Sequence, residues 1–244
     1  MDRLIYTAGS GARAMLERQD GLANNLANAA TPGFRADVPA FRAVPVRGDG
    51  LPTRVVALEA SAGFSDRSGP VEQTGRPLDV AVLGKGWLAV QAPDGTEAYT
   101  RSGSLQVDDQ GTLVTAGGLP VMADAGTIAV PAGASVTIGR DGTVTAQRPG
   151  EAAQAVGRLK LVNPAPADLR KGADGLVRTQ GGDAAPADPD VRLAAGAIEG
   201  SNVNVVEAMV GMIAAARQFE TQMKLMQQAE QDDQHASQLL APIR

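Results

Sequence analysis

The sequence contains no cysteine, so disulfides, thiolate metal sites and a thiol nucleophile are excluded. It has one histidine, His235, set among Asp232, Asp233 and Gln234. A histidine metal site or a Ser-His-Asp triad therefore has a single source, and that source reads as a solvated side chain. Aromatic residues make up 3% of the chain, which obliges any core to be built from Val, Leu, Ile and Ala. No window nears the ~20 apolar residues of a membrane span. Asp2, Arg3, Arg13, Glu17, Arg18 and Asp20 interrupt the N-terminal stretch, so no cleaved secretory signal is expected. The 22 Lys and Arg are scattered and the formal net charge is −5. That lacks the concentrated positive field that nucleic acid requires.

What is present changes character along the 244 residues. Leu4, Ala8, Ala12, Met15, Gln19, Leu22 and Leu26 recur every three or four positions, which predicts an amphipathic helix to about Asn28. Its stripe is rich in small residues, and Gly9 and Gly11 weaken it further. Thr31-Pro32-Gly33 then supplies a breaker and a turn. Residues 35–76 read as an extended connector: Pro39, Pro45, Pro52 and Pro70 forbid a long helix, and Val44, Val46, Val55 and Val56 indicate short strands.

From Pro77 the period falls to two. Leu78 to Leu83 runs through Gly84-Lys85-Gly86 into Trp87 to Gln91, a pattern that reads as a hairpin. Further short runs at Ser104–Val107, Thr112–Thr115, Val136–Ile138, Val156–Val162 and Val191–Leu193 are divided by Asp-Gly, Gln-Gly and Gly-Gly turns. These predict an antiparallel β-barrel or sandwich over residues 77–199. The last segment, 200–244, is a long helix capped by Ser201 or Asn204, with Glu207 three residues after Asn204. Met209, Met212, Ala216, Phe219, Met223 and Met226 form a heptad seam along it. Val205, Val206, Val210 and Ile213 are apolar residues in excess of that seam, and surplus apolar surface marks a partner-binding face.

The fold class expected is therefore α+β. N- and C-terminal helices, 1–34 and 200–244, pair as an elongated helical stem, and the β domain is inserted between them. Stripes too exposed for a lone molecule predict polymerisation, because head-to-tail contacts that do not close generate a filament. The Met seam taken alone reads as ordinary core; beside the N-terminal helix and the resemblance given below it reads as inter-subunit packing. Asn24, Asn25 and Asn28 are either helix-terminating residues or amides that satisfy backbone in a tight loop between packed subunits. The Asp-Gly sites lack the spacing of a calcium loop and read as turns. Gly84-Lys85-Gly86 lacks the rest of a phosphate loop. No cofactor or metal is implied. Carboxylate-only hydrolysis stays open on spacing but leaves the terminal helices unexplained.

Three stretches carry a resemblance. Ser10-Gly11-Ala12 with Asn24-Asn25-Leu26-Ala27-Asn28 and Thr31-Pro32-Gly33-Phe34 resembles the N-terminal signature of flagellar rod and hook proteins. Pro77 to Val82 with Gly84-Lys85-Gly86-Trp87 and Tyr99-Thr100-Arg101-Ser102-Gly103 resembles their β core. Glu199-Gly200-Ser201-Asn202-Val203 with Ala214 to Glu220 resembles their C-terminal signature. The opening Met1 to Tyr6, the tract Phe41 to Val46 and Trp87-Leu88 are similar to the proximal-rod member. The distal-rod or hook paralogue, and a surface-binding β module on a helical stalk, are the alternatives.

The resemblance implies a structural, non-enzymatic subunit of the torque-transmitting, export-channel-forming axle, located in the periplasm-spanning rod of the basal body. It implies export through the flagellar type III apparatus without signal cleavage. The partners implied are copies of the chain and neighbouring rod proteins, with no nucleic acid and no membrane insertion. The assembly interface expected comprises Leu4, Ala8, Ala12, Met15, Leu22, Asn24, Asn25, Leu26, Asn28 and Phe34 at one end. At the other it comprises Val206, Met209, Met212, Ile213, Ala216, Phe219, Met223 and Met226.

Overall fold

A computed structural model describes residues 2–45, 55–124 and 126–239. The chain forms two units, one built from residues 1–27, 37–63 and 204–244, the other from 28–36 and 64–203. Met1, Val46 and Pro52, named above, lie outside the described residues, as does the end of the expected final helix from 240 onward.

The first unit holds both long helices, α1 (Asp2–Ala27) and α2 (Val205–Leu239), and a strand pair, β1 (Asp37–Pro45) and β2 (Val55–Phe64). Asn204 caps α2: its Oδ1 accepts the Val206 and Glu207 N–H groups at 3.1 and 3.2 Å, satisfying two of the orphan donors of a helix start. α1 and α2 pack on each other. A Cβ on Gly11 would stand 3.1 Å from Gln222 Cδ, and one on Gly211 would stand 3.1 Å from Leu22 Cδ1. The reversed order of these two approaches makes the pair antiparallel. Pro39 sits inside β1, which is tolerated because a two-stranded ribbon consists of edge strands only.

The second unit is the β unit, and the expected barrel is not formed among its described residues. Its strands divide into small antiparallel sheets. The largest runs in the order Leu161–Val162, Trp87–Gln91, Glu97–Thr100, Val177–Thr179, Leu169–Lys171. Another joins Ser135–Ile138, Thr143–Gln147 and Gln154–Arg158. The strands are mostly two to five residues long, too short to circulate hydrogen bonds around a closed sheet.

The hairpin expected across Gly84-Lys85-Gly86 is also corrected. Val80–Leu83 pairs with Arg192–Ala195, while Trp87–Gln91 pairs with Glu97–Thr100 and Leu161–Val162. Gly86, at φ +124°, lies where a Cβ would stand 2.8 Å from both Val191 methyls. The chain turns there against a neighbouring strand and changes sheets. Along Trp87–Gln91, Leu88 enters one core of Val, Leu and Ile, whereas Trp87 and Ala89 enter another with Tyr99, Val162 and Leu169. Burial on both faces explains why this strand reads as an apolar run rather than as alternation.

Candidate functional site

Two features stand out, one in each unit. The first is the pair of faces presented by α2. Its buried or half-buried positions include Ala208, Met212, Ala215, Phe219, Gln222, Met226 and Ala229, spaced alternately by three and four residues, with Gly211, Ala216 and Ala236 half-buried beside them. This seam shares Met212, Phe219 and Met226 with the one read from sequence. Met209 and Met223 of that reading are exposed, and the residues just before them, Ala208 and Gln222, are the more buried; Ala216 stays half-buried beside Ala215. At Ala208 and Ala215 a small side chain lets the two helix backbones come close. On α1 the matching buried residues are Ala8, Ala12, Ala14 and Asn25, with Met15, Leu22 and Leu26 half-buried. The side chain of Leu4 is outside what is described.

Displacing Met209 from the seam leaves it exposed with its neighbours. Val206, Met209, Val210 and Ile213 are 70%, 49%, 61% and 56% exposed. They fall at positions i, i+3, i+4 and i+7 and share one face of the first turns of α2. Met223 and Leu225 are exposed further along, and Tyr6 and Leu16 are exposed on α1. Covering the α2 face would contribute on the order of 1–2 kcal/mol per side chain.

The asparagines separate by role. Asn25 is buried, and its side chain makes a two-point bond with the backbone of Asp37. Nδ2 donates to Asp37 O at 2.9 Å, and Oδ1 accepts the Asp37 N–H at 2.7 Å. Asn24 donates to Asp37 Oδ2 at 2.6 Å. Asn25 thus satisfies the backbone of its own chain, whereas Asn24 bonds a side chain of it. Asn28 accepts from Thr31 Oγ1 at 3.2 Å in the β unit's entry loop, and half-buried Phe34 carries Lys171 Nζ 3.9 Å from its ring centre.

The second feature is a charge cluster inside the β unit. Arg35, Arg101 and Glu199 are 3%, 3% and 1% exposed. Arg101 Nη1 donates to Glu199 Oε2 at 2.9 Å and to Val82 O at 3.0 Å, and its Nη2 donates to Gly84 O at 2.6 Å. Arg35 Nη2 lies 2.9 Å from Glu199 Oε1 but off the hydrogen-bonding direction, so this contact is ionic. Arg35 Nη1 donates to Arg67 O.

Both guanidinium carbons stand over the Trp87 ring, at 5.8 and 5.4 Å from its centre. The ring's negative face attracts both cations there, while the Arg35 and Arg101 Nε groups make no hydrogen bond among the described residues. Burial pushes both guanidinium pKa values down and the Glu199 carboxylate opposes it. Gly33, at φ +71°, fits its loop onto this cluster, since a Cβ there would collide with the Arg101 carbonyl and the Ser102 nitrogen. Sequence reasoning placed Arg35 in the connector and Arg101 and Glu199 in two separate signatures, without joining them. The available signal was two arginines and a glutamate amid apolar and glycine-rich stretches.

Both features fall within segments that match known protein families. Residues 5–35 match the family model "Flagella basal body rod protein". Residues 81–146 match "Flagellar hook protein FlgE/F/G D1 domain", and residues 194–239 match "Flagellar basal body rod FlgEFG protein C-terminal". The chain is 49% identical over 250 residues to the flagellar basal-body rod protein FlgF of Escherichia coli, covering 99% of each chain. It is 46% identical to that of Salmonella typhimurium, again over 99% of each chain. The rod protein FlgG of Bacillus subtilis is 32% identical, with 93% of this chain and 94% of that one covered.

Proposed function

The chain belongs to the FlgF branch of the flagellar basal-body rod family, a structural subunit of the rod, and on that premise we propose how it is used. It is a proximal-rod subunit that polymerises with its own copies and with neighbouring rod proteins. The bare face of α2 is the main contact, and the interface extends along both terminal helices, from Leu4 to Leu26 and from Val206 to Met226. Asn28 and Phe34 complete it from the entry loop. The α1–α2 pair is the stem that contributes to the axle wall around the export channel and transmits torque. The chain is not an enzyme, reaches the periplasm through the flagellar type III apparatus without signal cleavage, and inserts in no membrane.

The observation that carries this reading is the apolar stripe Val206, Met209, Val210 and Ile213, exposed at the start of α2. A monomer gains nothing from four large apolar side chains in water, whereas a polymer gains by covering them. Flexible Met side chains on the stripe tolerate slightly different neighbour geometries. The test is sedimentation of the full chain across a concentration series, beside motility rescue in a strain lacking its rod subunit. Association that rises with concentration and disappears in Val206→Asp/Ile213→Asp, with motility lost as well, is expected. A chain that stays monomeric at all concentrations, or a double variant that restores swimming, would refute the proposal.

A further inference from the structure

In the β unit the chain passes the same place three times, at residues 28–36, 64–69 and 199–203. The first passage is held largely by the last. Gly33 N–H donates to Glu199 O at 2.7 Å, and Ala36 N–H donates to Asn202 Oδ1 at 2.7 Å. The Asn202 N–H reaches Phe34 O at 3.3 Å. The middle passage depends on the same residues. Gly69 N–H donates to Glu199 Oε1 at 2.9 Å, and Asn202 Nδ2 donates to Arg67 O at 2.8 Å and to Ser65 O at 3.2 Å. Beneath all three lie the buried Arg35 and Arg101, with Glu199 as the carboxylate in contact with both.

We propose that Arg35, Arg101, Glu199 and Asn202 form a completion latch: the entry loop 28–36 docks on the β unit only when residues 199–202 have arrived. Without Glu199, burying Arg35 beside Arg101 would place two like charges together in a dry site, a cost far above what the loop's remaining bonds return. Arg101 keeps two carbonyl acceptors, Val82 O and Gly84 O, in the strand region beneath it. Arg35 keeps Arg67 O as a hydrogen-bond acceptor and the more distant charge of Asp66, and the passage carrying both is itself pinned by Asn202. Arg35 is therefore the group released, and its loop leaves with it. In a chain that emerges N-terminus first, the loop after α1 stays undocked until nearly the whole β unit is out. The ordering of the N-terminal segment is thereby tied to the end of the chain. This follows from the contacts alone and does not depend on polymerisation.

The test is residue-resolved amide exchange on the full-length monomer, comparing wild type with Glu199→Gln and Asn202→Ala. Glu199→Gln keeps the side-chain volume and removes the charge. Exchange at Gly33, Ala36 and Gly69 is expected to accelerate at least 100-fold, while Ala89, Leu113 and Val121 stay within threefold of wild type. Asn202→Ala removes neutral bonds only and keeps the test usable if Glu199→Gln does not fold. It should accelerate Ala36 about tenfold with the same three core amides unchanged. Unchanged exchange at Gly33 and Ala36 in Glu199→Gln would overturn the latch, as would an equal rise at the core amides. For Asn202→Ala, an Ala36 amide no faster than wild type would overturn it.

Discussion

The two units bury different things. In the β unit the interior is made of Leu, Val and Ile such as Leu105, Leu113, Val121 and Leu193, each fully enclosed. In the helical unit the enclosed apolar residues among those described are Ala8, Ala12, Ala14, Ala208, Ala215 and Ala229; of the larger apolar side chains of α2, Met212, Phe219 and Met226 are half-buried and Val206, Met209, Val210, Ile213, Met223 and Leu225 are exposed. Burying a branched side chain is worth about 1.5–3 kcal/mol, whereas an alanine methyl is worth about 0.8 kcal/mol. One unit therefore spends its hydrophobic surface on itself. The other packs its helices through alanine-lined faces and leaves several large side chains of α2 exposed to water.

The sharpest way to break this contrast is to damage the β interior. Leu105→Ala should cost about 2–5 kcal/mol, seen as a lower denaturant midpoint, with the exposed stripe of α2 untouched. A result near zero would mean that the β unit does not stand on its own core. Next in size is the converse change on the other unit. Met209→Asp should weaken association by about 2 kcal/mol, while monomer stability moves by no more than about 0.5 kcal/mol. A large loss of monomer stability instead would place Met209 in the folding core.

A third test uses pH. Tyr99 accepts the Ala185 N–H at 2.7 Å and donates to Glu97 at 2.9 Å, and burial pushes its hydroxyl up to about 12. The folded state thus holds the proton more tightly than the unfolded chain, where it leaves near pH ~10. This stabilisation is complete below pH ~10 and is lost as pH rises towards about 12. Tyr99→Phe should cost about 1 kcal/mol at neutral pH and flatten the alkaline slope measured by denaturant titration.

The smallest effect distinguishes two helical glycines. At Gly9 nothing lies within 4 Å of where an added methyl would stand, whereas at Gly211 Leu22 is in the way at 3.1 Å. Gly9→Ala should raise stability by about 0.5–1 kcal/mol. Gly211→Ala should fall short of that gain by the cost of shifting Leu22, as thermal melts of the two variants would reveal.

Much of this was readable in the residues. The Asn204 cap, the end of α1 just before Asn28, and the Asp-Gly turns follow from local chemistry that acts over a few positions. The Val, Leu and Ile core followed from the shortage of aromatics. Periodicity alone could not decide which of two adjacent stripes on α2 would meet α1. Met209 and Ala208 lie about 100° apart on the helix, and the choice falls to how closely α1 can approach. The misread hairpin has a similar origin. Gly84-Lys85-Gly86 signals a turn, but whether the next strand returns to the same sheet depends on partners far along the chain at Arg192–Ala195. The Arg35–Glu199–Arg101 cluster was hidden for the same reason, its members being brought together only by the complete fold.

The two-point bond between Asn25 and Asp37 couples the direction of the ribbon to the rotation of α1. Its donor and acceptor imitate one rung of a sheet, so the helix end serves as the ribbon's first neighbour. Adding or removing a single residue in the helix ahead of Asn25 would swing that side chain through ~100°. β1 would then be steered to a new heading or cut loose, which makes the phase of α1, more than its length, the quantity this junction measures.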